Sequence, residues 1–225
     1  MPPLILSGDS LARPEEHMFS DAAMVEGTAR AVIGGFYRDA KGKAHAFSQA
    51  VDMSNWDTGV KDFVPHIGHY EMLAAVVAAK VFPTLMSGKR LTHHIDNVGD
   101  VYQIIDGFSR DLVLQSLIDE YWDSMINRSF SAFLAFTSTK LNIADYLTRD
   151  DLIRRFIVAA PGTKFLEVGH LLVPAGWGLV FNKYQKFLGH HIIAEIFTRN
   201  KKTKEKRKKG KLSAGAKRRK LGLKW

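Results

Sequence analysis

Four acidic residues carry most of the chemistry legible in this chain. They are Asp21 in Phe19-Ser-Asp-Ala22, Glu71 in His69-Tyr-Glu-Met-Leu-Ala74, Asp96 in His93-His-Ile-Asp-Asn97, and Asp145 in Leu141-Asn-Ile-Ala-Asp-Tyr-Leu-Thr-Arg149. Brought together, these carboxylates would raise one another's proton affinity unless divalent cations lay between them. An oxygen-only ligand set, with no cysteine in the chain, suits hard ions such as Mg²⁺ or Mn²⁺ better than zinc. Two such ions about 4 Å apart can activate a water, stabilise charge on a phosphate and hold a leaving oxygen, so the chemistry expected is phosphoryl transfer. Taken singly, each residue also has a plainer reading. Asp21 and Asp96 could form turns or cap helices, Glu71 could stabilise a helix start, and Asp145 shares its segment with Asp150 and Asp151.

The elements that must position these residues read as strands before helices. A strand holds Phe19-Ser-Asp-Ala22, and Ala31–Tyr37 and Ala44–Val51 flank a hairpin turn over Arg38–Lys43. Asp52 to Pro65 reads as a loop, and Tyr70 to Phe82, rich in Ala, Leu and Met, as a buried helix ending before Pro83 with Glu71 in its first turn. Leu91 to Asp96 alternates like a strand and ends on an acid. Val98–Asp106 and Leu112–Ile126 have helical spacing about the break at Gly107, Phe130–Phe136 is the last strand, and Asn142–Arg149 is a short helix carrying Asp145. That order gives an α/β fold, a mixed five-stranded sheet with flanking helices and right-handed crossovers between its parallel strands.

In type, order and spacing these pieces resemble the ribonuclease H domain of retroelement (retrotransposon) reverse transcriptases, over residues 18 to about 150. The features that carry the resemblance are Phe-Ser-Asp-Ala on the first strand, the Gly34-Gly35 pair on the second, Tyr-Glu-Met-Leu-Ala in a helix, Ile-Asp-Asn ending the fourth strand, and Asn-Ile-Ala-Asp-Tyr-Leu-Thr-Arg near the end. The resemblance implies that Asp21, Glu71, Asp96 and Asp145 bind two Mg²⁺ (or Mn²⁺) ions. Asp21 would be shared, Glu71 and Asp96 would complete one site, and Asp145 would position the second ion with the attacking water. It implies hydrolysis of the RNA strand of an RNA–DNA hybrid, leaving a 3′-hydroxyl and a 5′-phosphate, with Asn97 contacting the nucleic-acid backbone. A catalytically inactive, retroelement-derived nucleic-acid-binding protein is the alternative. Many enzymes of this kind place a mobile histidine shortly before the last carboxylate, and residues 137–144 contain none.

The remaining residues read more plainly. Asp9, Asp39, Asp100, Asp106, Asp111 and Asp123 are expected at the surface. His66 and His69 lack a partner set of zinc-site spacing and read as ordinary packing, and His93, in phase with Leu91 and Ile95, as a core or interface residue. No P-loop, Gly-x-Ser-x-Gly elbow or dinucleotide fingerprint occurs.

The net charge of +9 conceals two regions. Residues 199–225 hold 14 of the 32 Lys and Arg against one acid, Glu205, so the remaining 18 basic and 22 acidic residues leave the body at −4. Lys201, Lys202, Lys204, Lys206, Arg207, Lys208, Lys209, Lys217, Arg218, Arg219 and Lys220 form a tail expected to be disordered alone and to bind polyanions. The organisation expected is a lead-in over 1–17, a ribonuclease H-like domain over 18–158, an extension over 159–198 with a helix at Tyr184–Phe197, and this basic tail. With no membrane-spanning run and no secretory leader, the chain reads as intracellular, and the tail fits nuclear import.

Overall fold

The computed structural model of the chain describes residues 16–24, 30–52, 63–168 and 180–181. The chain divides into two units, Met1–Gln185 and Lys186–Trp225, and every described residue belongs to the first. The lead-in before residue 16, most of the loop after Asp52, the Tyr184–Phe197 segment and the basic tail lie outside the described residues.

Five strands build the sheet: β1 (Glu16–Met24), β2 (Arg30–Arg38), β3 (Ala44–Asp52), β4 (Arg90–Ile95) and β5 (Ser131–Phe136). They stand in the order β5-β4-β1-β2-β3. β1, β2 and β3 pair antiparallel, while β4 and β5 run parallel to β1. Two short strands from the extension, where Phe165–Val173 and Trp177–Phe181 read as strands, join these five. β6 (Lys164–Phe165) runs parallel to β3 at His45 and Ala46, and β7 (Val180–Phe181) pairs antiparallel with Val51 and Asp52.

The helices are α1 (Ile67–Val81), α2 (Pro83–Met86), α3 (Val98–Asp106), α4 (Leu112–Asn127), α5 (Asp145–Thr148) and α6 (Asp150–Ala159). α1 is buried along almost its whole length because the sheet covers one side and α4 the other. Its Tyr70, Leu73 and Val77 share a core with Met18, Ile33 and Phe47 of the sheet and Leu117, Ile118 and Tyr121 of α4. Among the described residues no helix is long and apolar enough to cross a membrane.

Two helical expectations change. α1 starts three residues before Tyr70, so Glu71 lies in its second turn, beyond the strongest influence of the helix dipole. No Ser, Thr or Asp marks this start. His66 takes the cap position in extended conformation, and its N–H donates to His69 Nδ1 at 3.0 Å. α6 was not anticipated. A single extended residue, Arg149, separates it from α5, and no Gly or Pro announces the break. Ile153, Phe156 and Ile157 form its buried face, with Phe156 edge-on to Phe36 at a centroid distance of 5.8 Å.

Candidate metal centre

Asp21 and Asp96 reach one place because β1 and β4 are parallel with Phe19 beside His94, so each acid follows two residues on along its own chain. Open sheets commonly gather their sites toward the carboxyl ends of parallel strands. Asp21 is almost fully buried and pairs in register with Gly34 of β2. A Cβ added at Gly34 would fall 2.9 Å from Leu147 Cβ and 3.1 Å from the Ala144 carbonyl oxygen, so the missing side chain is what lets α5 lie against the strands. Gly35 answers to a different neighbour, since its Cβ would meet the Phe47 ring at 2.1 Å.

The close approach of α5 supplies partners. Thr148 Oγ1 lies 3.1 Å from Asp21 Oδ2 and 3.0 Å from the Asp145 carbonyl oxygen, and its one hydroxyl proton can serve either. Buried Asn142 donates from Nδ2 to the Ser20 carbonyl at 2.9 Å and accepts the Ala144 N–H at 3.1 Å, fastening the segment before α5 to β1. Asp96 follows β4, where its Oδ2 accepts from Thr139 Oγ1 at 3.0 Å. Glu71 comes from α1, held by Asn97 Nδ2 at 2.7 Å. The other end of the Asn97 carboxamide caps α3 through the N–H groups of Gly99 at 2.9 Å and Asp100 at 3.3 Å. This residue, expected to touch nucleic acid, is thus engaged at both ends inside the protein.

Ligand oxygens of Asp21, Glu71 and Asp96 lie within 4.8 Å of one another. Asp145 stands outside that group of three but lines the same cleft, with Oδ1 bonded to Arg149 Nε at 2.9 Å. Thr139, Thr148, Arg149, Ile67 and Met24 complete much of the lining. The structure therefore gathers three of the four expected acids tightly and sets the fourth in the lining of the same cleft.

The electrostatics fit a cation. Burial first, then Asp96, then Asp145 push the Asp21 carboxyl up to about 8, against the opposing hydrogen bonds from Thr148 and the Ala22 N–H. Burial and Asp96 also raise Glu71, opposed by Asn97. Asp96 Oδ1 is buried without a hydrogen-bond partner among the described residues. Hard oxygens, like charges and an orphaned acceptor together suit Mg²⁺ or Mn²⁺.

Sequence reading missed Asn142, Thr139, Thr148 and Arg149 as supports. The last two stand three and four residues after Asp145, a helical spacing that carries a weak signal. Asp100 reverses its expectation. It is buried, and burial, then Glu71, then Asp96 push its carboxyl up to about 8. Asp106 and Asp123 are exposed as expected, while Asp111 is half-buried as the N-cap of α4.

A second group, His66, His69 and Asp111, has the residue types and proximity for a metal site. Its hydrogen bonding argues for packing instead. His69 Nδ1 accepts the His66 N–H at 3.0 Å, so the ring proton sits on Nε2 and donates to Asp111 Oδ2 at 3.0 Å. Both ring nitrogens are committed, and the bond ties the starts of α1 and α4 together. His93, as expected, is a core residue, bonded to Ser20 Oγ at 2.9 Å and Tyr121 Oη at 2.8 Å.

The fold is similar to that of several solved structures. Ribonuclease H1 from the halophilic archaeon Halobacterium salinarum NRC-1 matches with a TM-score of 0.50 at 13% identity, over 61% of this chain and 97% of that one. LC11-RNase H1 in complex with RNA/DNA hybrid matches with a TM-score of 0.51 at 14% identity, over 63% of this chain and 99% of that one. A second structure of LC11-RNase H1, isolated from compost by a metagenomic approach, matches with a TM-score of 0.50 at 14% identity, over 63% and 97%. No protein-family model matches the sequence, and no curated protein does. The described residues have a ribonuclease H-like fold, a mixed α/β sheet with flanking helices.

Proposed function

We propose that this chain is a metal-dependent endoribonuclease that hydrolyses the RNA strand of RNA–DNA hybrids, and that it derives from the ribonuclease H domain of a retroelement reverse transcriptase. One observation carries the reading: within a ribonuclease H-like fold, Asp21, Glu71 and Asp96 present oxygens within 4.8 Å of one another, with Asp145 lining the same cleft. The hybrid bound to LC11-RNase H1 supports the substrate class by shared fold. The retroelement origin rests on the motif order over residues 18 to about 150.

On this reading Asp21, Glu71, Asp96 and Asp145 would hold two Mg²⁺ or Mn²⁺ ions, with Asp21 common to both sites, Glu71 and Asp96 on one and Asp145 on the other. Bound there, such ions activate a water, stabilise charge on the scissile phosphate and hold the leaving oxygen. The chain's own residues keep the acids aimed. Asn97 fixes the Glu71 carboxylate, Thr139 occupies one oxygen of Asp96 and leaves the other free, and Thr148 and Arg149 hold Asp21 and Asp145. Water adds across the phosphodiester, giving a 3′-hydroxyl and a 5′-phosphate. The basic tail raises affinity through sequence-independent, salt-sensitive phosphate contacts and suits a nuclear location.

The test is cleavage of a labelled RNA–DNA hybrid in Mg²⁺ by the intact chain, Asp21→Asn and Asp96→Asn. Cleavage is expected in the parent and a loss of about 10³-fold or more in either variant, with folding unchanged. A folded parent that binds the hybrid in chelator and never cuts it would sink the enzyme and leave the inactive retroelement-derived binding protein.

A further inference from the structure

Asp100 occupies the third position of α3, behind the capping residue Asn97. An acid there ordinarily faces water and complements the helix dipole, or reaches back to the cap residue's N–H. Neither describes Asp100. It is 3% exposed, its Oδ2 has no hydrogen-bond partner among the described residues, and the cap of α3 is made by the Asn97 side chain. No ion pair among the described residues includes it. The charged groups that act on it are Glu71 of α1 and Asp96 after β4, and Asn97 links it to the first of them, accepting the Asp100 N–H at 3.3 Å and donating to Glu71 at 2.7 Å. Its neighbours along the helix, Val101 and Ile104, belong to the apolar core, where valine would sit at far lower cost than a lone carboxyl.

We propose that Asp100 is a further acid of the cation centre, standing behind Glu71 and Asp96, where its buried Oδ2 accepts hydrogen bonds from water in the hydration shell of the cation they hold. The inference rests on the cation reading given above. Asp100 is outside the group whose ligand oxygens lie within 4.8 Å of one another, so it is not counted among the direct ligands. Mg²⁺ and Mn²⁺ sites with few carboxylates retain water, and that water needs acceptors. Asn97 makes the arrangement stiff, because the same carboxamide holds Glu71 at 2.7 Å and the Asp100 N–H at 3.3 Å. Asp100 is a positioning residue and touches no reacting atom.

The test uses the full chain, Asp100→Asn and Asp100→Val, with Mn²⁺ titrated by isothermal calorimetry and melting recorded in chelator. At pH 7 both variants should melt higher than the parent without cation, because folding the parent must either bury a charge or protonate the Asp100 carboxyl. Both should bind Mn²⁺ more weakly, by about tenfold for Asp100→Val and less for Asp100→Asn, which keeps an acceptor oxygen. Equal Mn²⁺ affinity in parent and variants overturns the proposal and leaves the cation reading intact. Weaker binding together with a lower melting temperature in chelator marks a packing role and also overturns it. A parent that takes up no Mn²⁺ overturns both this inference and the reading beneath it.

Discussion

Strand β1 carries a buried carboxylate near each end, and the two are treated in opposite ways. Glu16, at its start, is neutralised from within: Lys89 Nζ donates to Oε1 at 2.8 Å and the Tyr37 hydroxyl to Oε2. Asp21, five residues on, has the Thr148 hydroxyl and the Ala22 N–H for partners, with Asp96 and Asp145 as charged neighbours. A buried carboxylate is tolerated when its lone pairs and charge are met, and it is costly otherwise. The first arrangement stabilises the fold, while the second leaves Asp21 beside like-charged carboxylates without a basic partner of its own among the described residues.

Neutralising each acid by amide replacement sharpens this contrast most. Glu16→Gln should destabilise by about 2 kcal/mol, since it strands Lys89 beside a neutral amide. Asp21→Asn should have the opposite sign and gain about 1 kcal/mol in chelator at pH 7. Urea unfolding of both variants decides it, and a loss of stability in Asp21→Asn would erase the contrast. Next in size is Gly34→Ala, which adds a Cβ 2.9 Å from Leu147 Cβ and should cost about 1–2 kcal/mol by pushing α5 from the sheet. It should also reduce hybrid cleavage, because Asp145 and Thr148 ride on α5.

The smallest effect expected is in pH dependence, where the two kinds of buried group run opposite ways. His93 is lowered by burial, then by His94, to about 3, so its contribution is complete above its ordinary pKa of 6.5 and is lost as pH falls toward 3. Asp21 is raised to about 8, so its linkage contribution is complete below 3.8 and is lost as pH rises through 8. In chelator, the drop in stability from pH 7 to 5.5 should be about 1 kcal/mol smaller in His93→Gln than in the parent. Thermal melts across that range, with identical slopes for the two proteins, would count against the assignment.

The sequence alone determined the element order, because short-range patterns encode it. Val98–Asp106 was legible from its helical spacing and the break at Gly107, and alternation ending on Asp96 marked β4. The four acids were legible as candidates because each sits in a distinctive local context. The start of α1 was hidden behind a histidine cap, and α6 behind a one-residue break that no Gly or Pro signals. Tertiary structure alone decided which acids share a space. Parallel pairing of β1 and β4 aligned Asp21 with Asp96, Gly34 admitted α5, and Asn97 turned inward to Glu71. It also decided that Asp100 is buried while Asp106, on the same helix, is exposed. Proton affinity and cation fit depend on distances between residues far apart in the chain, so no local pattern can hold them.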